Sequence, residues 1–261
     1  MYHKTENITS SWQSGKPNLT IVGQGNVGSH LANAFSKVAN VTCVSSRTLE
    51  GLPKNSDIII IAVKDDAIIS TADRIKGCAP LIAHTSGSIP MDAVSGFAES
   101  CGVLYPMQTF TKDVPLDYSS VPFFIEGDSL ASAELLHKLA SMVSNNVRYA
   151  NSTDRKKLHV AAVFTCNFTN HMVAIADSLL RENGMDYTVM MPLLKQTIAK
   201  LDSIAPGKAQ TGPAARNDIS VIQSHLKMLE EKPETRELYD MITKHIIQSS
   251  YTEQSAKQDN L

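Results

Sequence analysis

Short apolar runs alternate with segments of helical spacing over the first 150 residues of the chain. The run at 57–63, Asp-Ile-Ile-Ile-Ile-Ala-Val, is continuously apolar, which is typical of a strand buried on both faces of a parallel sheet. Further strands are predicted at 19–22, 41–45, 81–85, 102–105, 122–126 and 147–150. Helices are predicted between them, including 90–100 and 130–143. This alternation predicts the α/β class, with a doubly wound, mostly parallel sheet that ends in an edge strand.

Strand signals stop at Thr153, and only helical segments follow. Ser152 or Thr153 can cap a long helix that ends near Gly184. Further helices are predicted at 187–201, 218–231 and 234–250. The chain therefore divides by pattern into an α/β part and an all-helical part.

We predict an α/β domain over 18–152 and an all-helical second domain over 153–251. Residues 1–17 and 252–261 are polar, and we expect both to be disordered tails. A chain of 261 residues with 43% hydrophobic content can bury a core of this size.

The first predicted strand runs directly into Gly23-Gln24-Gly25-Asn26-Val27-Gly28. In this pattern Gly23 permits a tight turn, Gly25 lets a pyrophosphate approach the backbone, and Gly28 lets the next helix pack closely on the strand. Free amide groups in the first turn of that helix would face the phosphates. All six residues are candidate contacts of a dinucleotide in a Rossmann-like domain. The alternative is a tight turn with no ligand.

Ser46, Arg47 and Thr48 follow the second predicted strand, where a site for NAD usually carries an acidic residue. The guanidinium of Arg47 can pair with a 2′-phosphate, and the two hydroxyls can donate to it. The three residues favour NADP over NAD as the cofactor. The alternative is that Arg47 is a solvated loop cation.

Ligands of such sheets bind at the carboxyl ends of the parallel strands. We therefore assign Val63, Lys64 and Thr85, which lie at two such ends, to the cofactor site. Ser86 follows Thr85 and is a candidate substrate contact. The hydroxyls of this loop could instead only build a turn and cap the next helix.

His159 and Asn167 are eight residues apart in an apolar helical segment, so they lie two turns apart on one side. Burying such groups without partners costs about 1 to 3 kcal/mol each, so something must satisfy them. We predict a catalytic pair, with His159 as proton donor and Asn167 as carbonyl anchor. Hydrogen bonds to a neighbouring helix or subunit are the alternative.

Two further residues are candidate substrate contacts. Gln108 follows a strand end and could reach a ligand, although Pro106 could serve only to end the strand. Arg216 could clamp a substrate carboxylate or pair with Asp218 alone.

The net charge of −2 implies no strong electrostatic partner, and no part of the sequence resembles the basic stripe of a nucleic-acid binder, so no nucleic-acid partner is expected. Polar residues interrupt the most apolar stretch, 158–180, so no membrane partner is expected either. The four cysteines fall in or near apolar segments and have neither paired nor metal-type spacing, which predicts buried free thiols, no metal site and a reducing compartment, the cytoplasm.

The motif at 23–28, Ser46-Arg47-Thr48 and the all-helical second part resemble the superfamily of 6-phosphogluconate and 3-hydroxyacid dehydrogenases, pyrroline-5-carboxylate reductase and the deazaflavin-dependent NADP reductases. The segments 84–88, 105–110, 158–167 and 211–218 look more narrowly like a bacterial family of putative NADP oxidoreductases. The resemblance implies that the helical domain supplies a substrate cleft and a homodimer interface.

The chain departs from the hydroxyacid dehydrogenases at one position. Those enzymes carry a catalytic Lys one turn before an Asn on the long helix, whereas Val163 stands one turn before Asn167 here. The Lys mechanism cannot be carried over, and His159 is our substitute for it.

The sequence thus predicts an NADP-dependent oxidoreductase that transfers hydride between nicotinamide and a small carbonyl, imine or hydroxyl compound at the domain interface. The alternative is a catalytically silent NADP-binding redox sensor or scaffold. A structural module whose nucleotide fold has lost its ligand is disfavoured by the joint presence of Gly23, Gly25, Gly28 and Arg47.

Overall fold

A computed structural model describes residues 15–258 of the chain, with side chains described up to residue 249. It divides into two compact units at Phe168 and Thr169. The predicted boundary at 152–153 lies in the same long helical segment, and the predicted tail at 1–17 lies mainly outside the described residues.

The first unit is built on one seven-stranded sheet with the strand order β2-β1-β3-β4-β5-β6-β7. The strands are β1 Asn18–Val22, β2 Asn40–Val44, β3 Ile58–Ile61, β4 Leu81–His84, β5 Ser100–Pro106, β6 Phe123–Gly127 and β7 Val147–Tyr149. All neighbouring pairs are parallel except β5 and β6. The predicted α/β class, the mostly parallel sheet and the final edge strand are confirmed.

The helices of the first unit flank this sheet or follow it. They are α1 Asn26–Phe35, α2 Ile68–Arg74, α3 Leu130–Ser141 and α4 Ser152–Ala162, and a π-helical segment, Val163–Phe168, continues α4. Short 3₁₀ turns lie at Asp65–Ala67, Met91–Val94 and Tyr118–Ser120.

The second unit is helical. Its helices are α5 Thr169–Arg181, α6 Met191–Ala199, α7 Pro206–Ala209, α8 Ile219–Met228 and α9 Pro233–Gln258, with 3₁₀ turns at Tyr187–Met190 and Lys200–Asp202. Helix α9 therefore continues past residue 251, where we predicted the helical domain to end.

The four isoleucines of β3 explain why the sheet is well buried. Ile58 and Ile60 pack on one face with the residues of α1 and α3, and Ile59 and Ile61 pack on the other face with α2. Because successive side chains of a strand point to opposite faces, a continuous apolar run is the pattern that two covered faces require. The sheet is therefore a rigid support for the loops at its carboxyl edge.

Three local predictions need correction. The helix predicted at 90–100 is only the 3₁₀ turn Met91–Val94, because Gly96 has a positive φ of 80° and β5 begins at Ser100. The cap of α4 is Asn151, whose side chain accepts from the Asp154 amide, and not Ser152 or Thr153. All four cysteines are free as predicted, although only Cys101 is buried.

Candidate functional site

The glycine turn between β1 and α1 is shaped by two close approaches. A Cβ on Gly23, which has a φ of 125°, would lie 2.1 Å from the Ala62 carbonyl oxygen. A Cβ on Gly28 would lie 1.9 Å from the Gly23 carbonyl oxygen. Both positions therefore exclude any side chain for reasons of protein packing alone, as the tight turn and close helix packing predicted.

Gly25 differs from its two neighbours in the motif. A Cβ placed on it meets no protein atom within 4 Å, and its φ of −76° suits any residue. Gly25 precedes the first turn of α1, where free amides face outward. Packing gives no reason for a glycine here, whereas a bound pyrophosphate that approaches the backbone does, so the residues present fit a dinucleotide.

A groove with a volume of about 960 Å³ opens beside this turn. It is lined by nine of the predicted cofactor residues, namely Gly23, Gln24, Gly25, Asn26, Val27, Ser46, Arg47, Val63 and Lys64. Six further residues, which the sequence prediction missed, complete the lining: Ser45, Ala62, Ala67, Ser70, Thr71 and Arg74. The structure therefore brings most of the predicted cofactor residues to one place.

Arg74 is the most informative of the missed residues. Its guanidinium donates to the backbone carbonyl oxygens of Ser46 and Arg47, the second over 3.0 Å. The end of the groove at the predicted phosphate site thus carries two guanidinium groups and the hydroxyls of Ser45 and Ser46. Arg74 stands at the end of α2, 27 residues after Arg47, and no motif in the sequence links the two.

Three predicted cofactor residues lie outside the lining of this groove. Gly28 packs beneath Gly23. The Thr48 hydroxyl accepts from the Glu50 amide within its own turn. Thr85 bonds to the Ile61 carbonyl oxygen through its amide and its hydroxyl. Any part that they have in binding stays a prediction.

A second cavity, of about 590 Å³, shares Asn26 and Val27 with the groove. Its polar lining includes both predicted catalytic residues, His159 and Asn167, and the predicted substrate contact Gln108. The remaining lining residues are Tyr105, Met107, Thr109, Phe110, Leu158, Ala161, Ala162, Val163, Thr165 and Cys166. None of these described lining residues is an Asp, Glu, Lys or Arg.

His159 is held from two sides. Its Nδ1 lies 3.1 Å from the hydroxyl of Tyr105, and the two rings meet edge to face. A Cβ on Gly87 would lie 2.7 Å from the same Nδ1 and 2.9 Å from Cζ of Tyr105. Gly87 is therefore the residue that lets the loop after β4 close over the pair of rings.

Asn167 lies in the π-helical segment that follows α4. Such segments are rare inside α-helices and recur at functional sites. The expectation that burial would demand a partner does not hold for Asn167, which is exposed, whereas half-buried His159 has Tyr105 as its partner.

Arg155 ties the start of α4 to the loop after β4. Its side chain is fully buried, forms an ion pair with Glu126 and donates to the carbonyl oxygens of Ser86 and Ile89. Glu126 also accepts from the amide and hydroxyl of Ser152 at the first residue of α4. Since Arg155 lies one turn before His159, this network fixes the helix end that carries the histidine.

His84 ends β4 beside this network and is fully buried. Its Nε2 lies 3.3 Å from the Pro90 carbonyl oxygen, and its Nδ1 accepts from the Ser86 amide. Burial, and next the charge of Arg155, lower the pKa of His84 to about 4. The residue is therefore neutral at neutral pH and serves the geometry of the loop.

The other two predicted substrate contacts, Ser86 and Arg216, are not among the lining residues of the second cavity. The Ser86 hydroxyl is buried and accepts from the amides of Ser88 and Ile89, as in the plain turn that the sequence also allowed. Arg216 lies in the second unit, is exposed and forms no ion pair with Asp218 among the described side chains. Asp218 instead caps α8.

The segment that carries Gln108 is anchored to α1. His30 is buried, with Nε2 2.8 Å from the Thr111 carbonyl oxygen and Nδ1 2.8 Å from the Tyr118 hydroxyl. The Lys112 amide donates to the side chain of Asn26 over 3.2 Å. Helix α1 therefore positions one wall of the second cavity as well as the glycine turn.

Comparison with known proteins gives a close relationship over most of the chain. A crystal structure of a putative NADP oxidoreductase from Bacteroides fragilis is 37% identical, with a TM-score of 0.84, and covers 89% of this chain and 98% of its own. A family described as a domain of unknown function (DUF2520) matches residues 121–246. No protein with a curated description matches the chain by sequence.

Two more distant solved structures share the fold. A protein from Thermotoga maritima is 19% identical with a TM-score of 0.70, over 90% of this chain and 99% of its own. An imine reductase from Streptomyces aurantiacus is 12% identical with a TM-score of 0.58, over 91% and 99%. In the described part of the chain, every helix is too short or too polar to cross a membrane, and His, Cys, Asp and Glu form no metal-binding group.

Proposed function

We propose that this chain, which belongs to the same family as the putative NADP oxidoreductase from Bacteroides fragilis, is an NADP-dependent oxidoreductase. Membership agrees with the resemblance that the sequence motifs predicted. The observation that carries the proposal is Gly25, where a glycine serves no packing need and lies beside a groove with two guanidinium groups. The proposed cofactor is NADP because Arg47 and Arg74 both line the groove and none of its lining residues is acidic.

The chemistry is proposed to take place in the cavity that adjoins the groove. Held in the groove, NADPH would supply a hydride for the carbon of a C=O or C=N group, or NADP would accept one in the reverse direction. His159 gives its Nε2 proton to the substrate oxygen or nitrogen while its Nδ1 takes up the proton of the Tyr105 hydroxyl, and water then returns a proton to the phenolate. The amide of Asn167 anchors the same polar group of the substrate.

The lining of this cavity favours a small and uncharged substrate. Its polar groups are hydroxyls, amides and the imidazole of His159, set among apolar side chains such as Phe110 and Leu158. A ligand carboxylate there would be desolvated without a cation from the described lining residues. A neutral carbonyl, imine or hydroxyl compound can hydrogen-bond to the groups present.

The proposed assembly is a homodimer formed through the helical unit. Large apolar side chains on α6 are exposed, Leu193 by 65% and Ile198 by 53%. Exposed apolar patches of this kind mark interfaces. Replacing Leu193 by Glu should shift the mass measured by light scattering from dimer to monomer, whereas Lys195→Glu on the same helix should not. The cytoplasm remains the expected compartment.

Direct titration tests the cofactor assignment. We expect NADPH to quench or shift protein fluorescence at micromolar concentrations and NADH to bind at least tenfold more weakly. Absence of NADPH binding would remove the proposal. If NADPH binds, its oxidation in the presence of aldehydes, ketones and imines separates an enzyme from a silent sensor. Replacing His159 by Gln should then abolish turnover while leaving the affinity for NADPH unchanged.

A further inference from the structure

Tyr105 and His159 contact each other through a hydrogen bond that the packing of the core does not require. Tyr105 stands near the end of β5, where its neighbour Leu104 already packs in the main core. Its ring packs with Phe124, yet its hydroxyl turns to Nδ1 of His159 at 3.1 Å. No other hydrogen bond to either ring nitrogen of His159 occurs among the described side chains. The Tyr105 hydroxyl therefore occupies Nδ1 of His159, and Nε2 stays available to a ligand in the cavity.

We propose that Tyr105 is a positioning residue that holds His159 as the tautomer protonated on Nε2, so that the imidazole offers a proton donor to a ligand in the cavity. The tautomer itself follows from the contacts of the two side chains. Only the use made of the Nε2 proton rests on the proposed oxidoreductase function.

The direction of the hydrogen bond follows from the chemistry of the two groups. A neutral imidazole has one N–H donor and one acceptor nitrogen. Burial raises the pKa of Tyr105 and outweighs the opposing charge of Arg155, so the phenol keeps its proton. Among the described residues the Tyr105 hydroxyl has no other hydrogen-bond partner, so its proton is donated to Nδ1 and the imidazole proton resides on Nε2.

Gly87 makes this arrangement rigid. The ring atoms Nδ1 of His159 and Cζ of Tyr105 both lie within 3 Å of the place that a Cβ on Gly87 would take. The loop backbone thus covers the junction of the two side chains and leaves little room for the imidazole to flip. A flip would put Cδ2 in the place of Nδ1 and break the hydrogen bond, so the packing keeps Nδ1 facing the Tyr105 hydroxyl.

Nitrogen NMR of the imidazole groups in the full-length protein, without cofactor, tests the assignment. His159 is identified by the signals that disappear in His159→Gln. We expect the wild-type protein above pH 7 to show an acceptor-type Nδ1 and a protonated Nε2. In Tyr105→Phe the two signals should move toward each other as the tautomers mix.

Tyr239→Phe is the matched control, because Tyr239 contacts Nδ1 of His225 at 2.8 Å with the rings edge to face, in the helical unit. It should leave the His159 signals unchanged. A proton on Nδ1 in the wild type, or identical His159 signals in wild type and Tyr105→Phe, overturns the proposal. If Tyr105→Phe does not fold, the wild-type spectrum still decides by the same criterion.

The NMR result does not depend on NADPH, so it stands apart from any failure of the proposed function. Where NADPH oxidation is found, Tyr105→Phe should lower kcat about tenfold, because the proton donor is less well placed. The KM for NADPH should not change. If kcat fell and the KM for NADPH rose by the same factor, Tyr105 would have a structural role only.

Discussion

Arg74 donates a hydrogen bond from Nη2 to the carbonyl oxygen of Arg47 over 3.0 Å, which joins the end of α2 to the loop after β2. The same guanidinium holds the carbonyl oxygen of Ser46. One arginine thus fixes the backbone of the other while both side chains line the groove. Their roles should therefore separate on mutation, since the Arg47 side chain has no partner among the described residues and can meet a phosphate, whereas Arg74 is partly engaged.

Replacing Arg47 by Gln should weaken NADPH binding about tenfold and leave NADH binding unchanged. The reason is that a charge-assisted hydrogen bond contributes about 1.5 to 3 kcal/mol, less when the cation is exposed as Arg47 is. Fluorescence titration of both cofactors measures the ratio. Equal weakening for NADPH and NADH would contradict a role for Arg47 at the 2′-phosphate.

Replacing Arg74 by Gln should weaken both cofactors, and NADPH more, because the loop that carries Ser46 and Arg47 loses its brace. Arg148→Gln is a matched control, since that guanidinium bonds to Asn146 beside β7 and lies outside the groove. Its affinities should equal those of the wild type. An Arg74→Gln protein with wild-type affinity for both cofactors would show that the loop holds its shape unaided.

Gly25→Ala should abolish or weaken NADPH binding at least tenfold while the protein stays folded. The added Cβ meets no protein atom within 4 Å, but it occupies the space that a pyrophosphate needs at the backbone. Loss of stability should stay below about 1 kcal/mol, the cost of a poorer helix cap. Urea unfolding and NADPH titration of the same protein give both quantities.

Gly28→Ala provides the opposite case in the same motif. Its Cβ would lie 1.9 Å from the Gly23 carbonyl oxygen, so the turn or α1 must shift. We expect a lower unfolding midpoint in urea as well as weaker binding. If Gly25→Ala were as unstable as Gly28→Ala, the argument that Gly25 serves a ligand would fail.

The sheet was predictable because its signal is local. Isoleucines 58–61 form a run that only a doubly covered strand explains, and the glycine motif names the turn that follows β1. The prediction of a helix at 90–100 was wrong, because the apolar residues there pack from a 3₁₀ turn and Gly96, with a φ of 80°, prevents the turn from continuing as a helix.

The site was only partly predictable, because its contacts join residues that are far apart in the sequence. His159 and Asn167 stood out as polar residues in an apolar helical segment, but nothing near His159 indicates Tyr105, which is 54 residues away. Gly87 could be read only as a turn residue, and its contact with both rings needs the fold. The π-helical segment, which changes the register between His159 and Asn167, also leaves no signal in spacing.

His84 should make the stability of the first unit depend on pH. Its folded-state pKa is about 4, below the usual value near 6.5, so the unfolded chain takes up a proton first as pH falls. Stability should therefore be complete above pH 6.5 and decrease from there to about pH 4, by at most about 3 kcal/mol. Urea unfolding at a series of pH values measures the loss.

His84→Gln should show a weaker dependence on pH over that range, although it should be less stable at pH 7 because a buried imidazole is replaced. His245→Gln, at an exposed position of α9, should follow the wild-type profile. A His84→Gln profile with the wild-type slope would exclude His84 as the titrating group.

Arg155→Met should destabilise the first unit by about 3 to 5 kcal/mol, since it leaves Glu126 without its buried partner. The double variant with Glu126→Gln should recover part of the loss, because the unpaired charge is then gone. Arg181→Gln removes an exposed pair with Asp177 and should not move the unfolding midpoint. Equal effects of Arg155→Met and Arg181→Gln would rule out a special role for the buried pair.

The charge of the substrate can be tested with a matched pair of ketones. Phenylacetone and phenylpyruvate share a skeleton and differ by a methyl and a carboxylate. Because the described lining of the cavity has no Asp, Glu, Lys or Arg, NADPH-dependent reduction should favour phenylacetone in kcat/KM. The same preference should appear in binding to the protein saturated with NADP, measured by calorimetry.

The opposite outcome, a preference for phenylpyruvate, would be explained by Arg216. If it clamps a carboxylate, phenylpyruvate is preferred, and Arg216→Gln should reverse that preference by at least tenfold, the value of one lost charge-assisted pair. If the substrate is neutral, Arg216→Gln leaves the kcat/KM for phenylacetone unchanged. A preference for phenylpyruvate that survives Arg216→Gln would contradict both a neutral substrate and a clamp by Arg216, because another cation would then have to meet the carboxylate.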